Sequence, residues 1–337
     1  MKRHRILFLG CGAATRTHSR ILSGTRNVDL CFASRDGARA DAYCREFDGV
    51  ESFDSYERAV YRDLDLVVVA TPPATHLDLA LLALRSRKNV VVEKPAFMRA
   101  ADCMTVAGAA GATSQRVFVA ENYAYKPIVG VIRDAVEGGE LGDVRFVSIN
   151  ATKRQGVRGW RGERSAGGGD PLFEGGIHWV SFLASLGLDI ESVEGLRAGS
   201  DASSLVVVRY RNGAVGTLAF SWELAAPFGG LRLSKIQGTK GAITFESNGF
   251  AAVQTGRRRS VRLPAFRDPT GTRAMWNDFL GALETGAETL YTLDMAQRDL
   301  RHVEAASTSF DALEHDVEDE RGMRWDQSLV LRAVPKG

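Results

Sequence analysis

Five short aliphatic runs in the first 120 or so residues constrain this chain more than any other feature. "RILFLG" (5–10), "VDLCFAS" (28–34), "LDLVVVAT" (64–71), "NVVVEK" (89–94) and "RVFVAEN" (116–122) read as strands. Helical stretches separate them: "THSRILSG", "DGARADAYCREF", "HLDLALLALRSR" and "RAADCMTVAGAA". Strands without a polar face need cover on both sides, so the alternation predicts a parallel sheet between two layers of helices.

The grammar changes from about residue 144, where strands follow one another directly. "SLVVVRY-RNG-AVGTLAFSW" (204–222) carries Asn212-Gly213 at its tip, a strong hairpin signal, and "AITFE-SNG-FAAVQT" (242–255) repeats the pattern. An antiparallel meander follows, hence an α+β domain with a large open, mainly antiparallel sheet. Helical patterns return in "RAMWNDFLGALETG" and "LDMAQRDLRHVEAASTSF". The expected division is residues 1–122 and 123–337, with helices at about 273–312 packing back toward the first domain. At 337 residues each domain has chain enough for its own core.

A net charge of +2 gives no reason to expect nucleic acid as a partner. The run Arg257-Arg258-Arg259 reads as a solvated turn. No stretch reaches the roughly 20 apolar residues of a membrane span, and the apolar run after the basic start is too short for a signal peptide. Cys11, Cys31, Cys44 and Cys103 form no C-x-x-C pair and have no His at metal-ligand spacing, so no metal is expected. Thiols of this kind suit a reducing compartment, and a cytoplasmic enzyme is the expectation.

"GCGAAT" (10–15) sits between the first strand and the first helix, the place of the G-x-G-x-x-G dinucleotide fingerprint. Gly10 permits the tight turn, Gly12 lets the backbone approach a pyrophosphate, and the amides of Ala13 and Ala14 open the helix. The first domain is therefore expected to be an α/β Rossmann domain. Thr15 replaces the usual third small residue, so strand and helix should pack less closely there. The second strand ends in Ser34-Arg35 rather than in the acid that takes an NAD ribose. Ser34 removes repulsion of a 2′-phosphate and Arg35 can bind it, each such charged hydrogen bond contributing about 1.5–3 kcal/mol. NADP is the expected cofactor, with NAD the alternative if Asp36 reaches the ribose.

"EKP" (93–95) ends a core strand on two opposite charges and a proline, at the sheet edge where ligands bind. Taken with "GCGAATRTH", closed by His18, and with "ATPPATH" (70–76), "ENYAYKP", "GELGDVRFV" (139–147) and "GGGDPLFEGGIH" (167–178), the chain resembles the Gfo/Idh/MocA family of NAD(P)-dependent oxidoreductases, the glucose–fructose oxidoreductase and inositol dehydrogenase group. The resemblance covers roughly residues 5 to 310. It implies that Lys94 holds the substrate's reacting oxygen and that the proline peptide is often cis. It implies also that Thr71, Pro72 and His76 line the nicotinamide side, with Glu93 and Asn122 nearby, and that Trp160 and Arg161 reach the cofactor.

"GGGDPLFEGGIHWVSFLASLG" reads as a helix start, capped by Asp170, with Glu174 and His178 four apart on one face. Gly175 and Gly176 each cost helix stability by about 0.5–1 kcal/mol, which suits close approach of a flat ring. Together with Lys94 and the resemblance, His178 is the expected acid/base and Glu174 the carboxylate beside it. Glu174 stands where the family usually has Asp, one methylene longer, which points to a different substrate shape. The resemblance also admits a catalytically silent cofactor-binding regulator, as in a yeast co-repressor, or an NAD-dependent glycosidase; retention of both Lys94 and His178 favours a dehydrogenase acting on a sugar or cyclitol. Apolar residues on both faces of 205–222 suggest a homodimer or homotetramer.

Overall fold

The computed structural model describes residues 3–156, 170–225, 230–256, 259–264 and 268–320. Strands β1 (His4–Leu9), β2 (Val28–Ala33), β3 (Glu51–Phe53), β4 (Leu66–Val69), β5 (Asn89–Glu93) and β6 (Val117–Ala120) form one parallel sheet in the order 3-2-1-4-5-6. Helices α1 (Ala13–Leu22), α2 (Gly37–Glu46), α3 (Tyr56–Val60), α4 (His76–Arg85) and α5 (Ala100–Thr113) connect them. Ile6 to Leu9, Leu66 to Val69 and Val90 to Val92 are wholly buried. Each Leu, Ile or Val so placed contributes about 1.5–3 kcal/mol, and this is why these strands carry no polar face. The short β3 and α3 have too few residues to show a period, and sequence patterning does not find them.

The strand order reverses between β1 and β4, the switch point where such sheets bind ligands. Leu9 pairs beside Val69, and Val69 beside Val92. The next residues, Gly10, Ala70 and Glu93, therefore leave the sheet side by side.

The second sheet holds β7 (Val144–Thr152), β8 (Ile190–Arg197), β9 (Ser203–Tyr210), β10 (Val215–Ser221), β11 (Leu233–Gly238), β12 (Ala242–Glu246), β13 (Ala252–Thr255) and β14 (Ser260–Arg262). Its order is 14-13-12-11-7-10-9-8. It is not the single meander that the sequence suggests. β7 inserts between two antiparallel runs and pairs with β10 in parallel. Helix α6 (Pro127–Glu137) leads into β7, and α7 (Ile177–Ala184) packs against β10 and α9 (Leu293–Glu320). Helix α8 (Thr272–Thr285) lies on α1 and on a 3₁₀ turn at Asn122–Tyr125, while α9 lies across β8 and α5. Phe146, Leu233 and Val261 stand exposed on the second sheet. Among the described residues no helix is long and apolar enough to cross a membrane.

Candidate active site

At the end of β1, Gly10 turns at φ +96°, where glycine alone is at ease. A Cβ there would lie 2.8 Å from the Ala70 carbonyl oxygen. Gly12 opens α1, and a Cβ on it would meet nothing within 4 Å. No side chain caps α1 and its first turn carries no acid. In front lies a cavity of about 130 Å³ bounded by Gly12, Ala13, Ala14, Ala70, Thr71 and Pro73, and on the far side by Glu93, Lys94 and Glu174. A bare helix N-terminus, a missing side chain and open space before it fit a dinucleotide pyrophosphate. At the third fingerprint position Thr15 is fully buried, its hydroxyl donating to the Gly10 carbonyl at 2.6 Å.

At the end of β2, Ser34 is buried and its Oγ accepts from the Asp36 amide at 3.2 Å. Asp36 caps α2 by accepting from the Arg39 amide at 3.3 Å. Arg35 and Arg39 are both exposed. A wider depression of about 600 Å³ beside α2 is flanked by Arg58 and Arg62, but Asp54 and Glu51 already pair with them.

The segment after β5 is fixed from several sides. The Lys94–Pro95 peptide is cis. Glu93 accepts from the Lys94 amide at 2.9 Å and pairs through its other oxygen with His18 Nε2. Trp276 of α8 donates its indole N–H to His18 Nδ1 at 2.9 Å, which leaves the His18 proton on Nε2, toward Glu93. Burial alone would push the Glu93 carboxyl up; His18 and Lys94 overcome it and hold it at about 2. His76 is buried away from the cavity. Its Nδ1 meets the carbonyls of Pro95 and Ala96 at 3.0 and 3.1 Å, and its Nε2 meets that of Thr71 at 2.8 Å. It thereby ties the loop after β4 to the segment after β5. In that loop Pro73, not Pro72, reaches the cavity wall.

The stretch after Asp170 departs from a continuous α-helix. Asp170 accepts from the amides of Leu172 and Phe173 at 2.9 and 3.3 Å, and Leu172–Gly176 then makes a π-helical turn before α7. A Cβ on Gly175 would lie 2.6 Å from the Trp222 ring, so the flat ring against the glycine pair is an indole of the protein itself. The Glu174 carbonyl accepts from the Lys94 ammonium at 2.9 Å.

The carboxylate bonded to His178 is Glu121. Glu121, just after β6, accepts from His178 Nδ1 at 2.6 Å and from the Tyr123 amide at 3.0 Å. The expectation from sequence is Glu174 as the carboxylate beside His178 on one α-helical face; the π-helical turn at Leu172–Gly176 interrupts that spacing, and the carboxylate bonded to the imidazole is Glu121. Tyr123 stacks on the imidazole, with centroids 4.2 Å apart and planes 10° apart. Burial holds His178 below its ordinary value; Glu121 opposes this, and nearby Lys94 adds to it. Asn122 turns away and donates to the Thr270 carbonyl at 2.7 Å. Trp160 and Arg161 lie outside the described residues.

Residues 4–121 match the family model described as an oxidoreductase family with an NAD-binding Rossmann fold, and residues 130–244 match the GFO/IDH/MocA C-terminal domain. The inositol 2-dehydrogenase of Rhizobium meliloti is 26% identical over 312 residues, 84% of this chain and 90% of that protein. A dTDP-3,4-didehydro-2,6-dideoxy-alpha-D-glucose 3-reductase of Saccharopolyspora spinosa is 29% identical, over 65% of this chain and 68% of its own length. Among solved structures, an oxidoreductase domain protein from Kribbella flavida superposes with a TM-score of 0.83 at 20% identity, covering 93% of this chain and 98% of that one. Matched in both of its halves, the chain belongs to the Gfo/Idh/MocA family of NAD-binding oxidoreductases.

Proposed function

We propose that this enzyme moves a hydride between a nicotinamide cofactor and a CH–OH or carbonyl carbon of a sugar, cyclitol or related small molecule. The observation that carries this reading is the meeting of two groups distant in sequence. Lys94, from the first sheet, bonds the backbone of the turn that leads to His178, and it is close enough to lower that imidazole's pKa. When bound, the nicotinamide supplies the hydride acceptor or donor. His178 takes the substrate hydroxyl proton on Nε2, because Nδ1–H is committed to Glu121. Lys94 holds the reacting oxygen and offsets the charge that develops on it. Glu174 presents its backbone to Lys94. In the reverse direction the same two groups protonate and polarise a carbonyl. The named activities of relatives, an inositol dehydrogenase and a deoxysugar reductase, favour polyhydroxylated substrates.

The cofactor in this reading is NADP in preference to NAD. Ser34 leaves no carboxylate at the strand end, Asp36 is occupied in capping α2, and two exposed arginines, Arg35 and Arg39, stand ready for a 2′-phosphate. Residues 1–122 serve the cofactor, and 123–337 supply the substrate wall and a subunit interface. The four cysteines are free, and burial pushes Cys11 and Cys103 up to about 12 and Cys31 to about 11, which suits inert thiols in the cytoplasm. A panel of sugars and cyclitols assayed with both cofactors tests the reading. Net change at the nicotinamide absorbance band is expected, at least tenfold faster with NADP(H) than with NAD(H) at equal low concentration. Faster turnover with NAD(H) would remove the cofactor preference.

A further inference from the structure

The stacking partner of His178 leads to a second pair of charges that the proposed chemistry does not use. The Lys126 ammonium sits 3.8 Å from the centroid of the Tyr123 ring, whose plane also stacks on His178. It lies 5.6 Å from the Trp179 ring, and the Arg232 guanidinium lies 5.8 Å from that same ring. Lys126 is 6% exposed and Arg232 7%. Two buried cations thus share one aromatic wall, and its Tyr123 ring lies between Lys126 and the candidate base.

Among the described residues neither cation touches a carboxylate directly: Lys126 and Arg232 form no ion pair, and the hydrogen bond of the guanidinium goes to the neutral Asn248 amide oxygen. Glu246 is the carboxylate that most favours the charged Lys126, yet it accepts from the Asn248 amide at 2.8 Å and from its side chain at 2.9 Å. Glu121, bonded to His178, favours the charged Lys126 as well, but from a distance. Burial pushes the Lys126 ammonium down to about 8, and the positive charge of Arg232 pushes the same way. Burying charge without a directly bonded partner is costly, and apolar residues of equal volume often pack such a wall at least as favourably. Cation–π contact with Tyr123 and Trp179 offsets only part of that cost. Two buried cations so held near a candidate base fit an anionic group of the substrate there.

We propose that Lys126 and Arg232 form an anion subsite across the Tyr123 ring from His178, so that the substrate is a sugar carrying a negative group, a phosphate ester or a carboxylate, away from its reacting hydroxyl. This rests on His178 being the base of the reaction. Charge-assisted hydrogen bonds from an ammonium and a guanidinium suit both anions. Neutral polyols would then be poor substrates.

Calorimetric titration of the full chain, saturated with the cofactor that it binds better, tests the subsite without turnover. Glucose 6-phosphate, glucuronate and glucose are compared, with inorganic phosphate as competitor. Wild type should bind at least one of the anionic sugars tenfold or more tightly than glucose, and phosphate should weaken that binding. The better of the two identifies the anion. Lys126→Met and Arg232→Met, as independent variants of similar volume, should each lose the preference while binding cofactor as wild type does. Equal affinity for the three sugars, no binding of either anionic sugar, or a preference that survives both substitutions would overturn the subsite. Absence of hydride transfer across the assay panel, with glucose 6-phosphate and glucuronate included in it, would overturn the dehydrogenase reading instead, and the two failures are read by different instruments.

Discussion

Glu121 decides which nitrogen of His178 is available for chemistry. With Nδ1–H donated to its carboxylate at 2.6 Å, the lone pair rests on Nε2. Glu121→Gln keeps the size and removes the charge. Because the carboxylate raises the His178 pKa against burial, its loss lowers that pKa further. In the proposed reaction alcohol oxidation needs the neutral imidazole, so the acid limb of its pH profile should move to lower pH, and kcat should fall by about a hundredfold or more. A purely structural role for Glu121 would lower activity without moving the limb. The sequence carried a faint signal for this residue. Glu93 ends one buried strand and Glu121 follows the next, so the polar ending that marks "VVVEK" recurs in "VFVAEN". What the sequence did not carry is the partner, because the spacing of Glu174 and His178 assumed an α-helix throughout.

At the scale of elements, the π-helical turn at Leu172–Gly176 is where periodic reasoning fails. Two glycines remove the side chains that would fix an α-turn, and the ring that packs there, Trp222, comes from just after β10. No local pattern announces such a contact. Gly175→Ala would drive a Cβ to 2.6 Å from the indole. A cost of about 1–3 kcal/mol is expected from overpacking, seen as a lower denaturation midpoint with an unchanged slope; a midpoint equal to wild type would show that the indole moves freely. The parallel sheet was more legible, since buried strands declare themselves by their apolar runs. The parallel pairing of β7 with β10 was not, because alternation fixes which face a residue takes and not which strand lies beside it.

At the scale of the molecule, the eight-stranded sheet presents Phe146 at 60%, Leu233 at 58% and Val261 at 65% exposure. Apolar residues on the neighbouring strands β7 and β11 and on the edge strand β14 suit an interface more than a solvated surface. A stable contact needs about 1,000 Å² or more, which a sheet of this width can supply. Light scattering after size exclusion should give twice the chain mass or a higher even multiple, and Phe146→Glu with Leu233→Glu should shift it toward one. Wild type at the mass of one chain would remove the interface. The sequence announced apolar character on both faces of β9 and β10, but the exposed residues of β7 and β11 emerge only once the strand order is known.

The measurement that bears most directly on the account is single-turnover hydride transfer in Lys94→Met and in His178→Asn, with cofactor affinity titrated in parallel on the same preparations. Each substitution should slow the nicotinamide step by about 10²-fold or more, while the dissociation constant for the cofactor stays within about threefold of wild type. Transfer at close to the wild-type rate in either variant would contradict the proposed roles of Lys94 and His178.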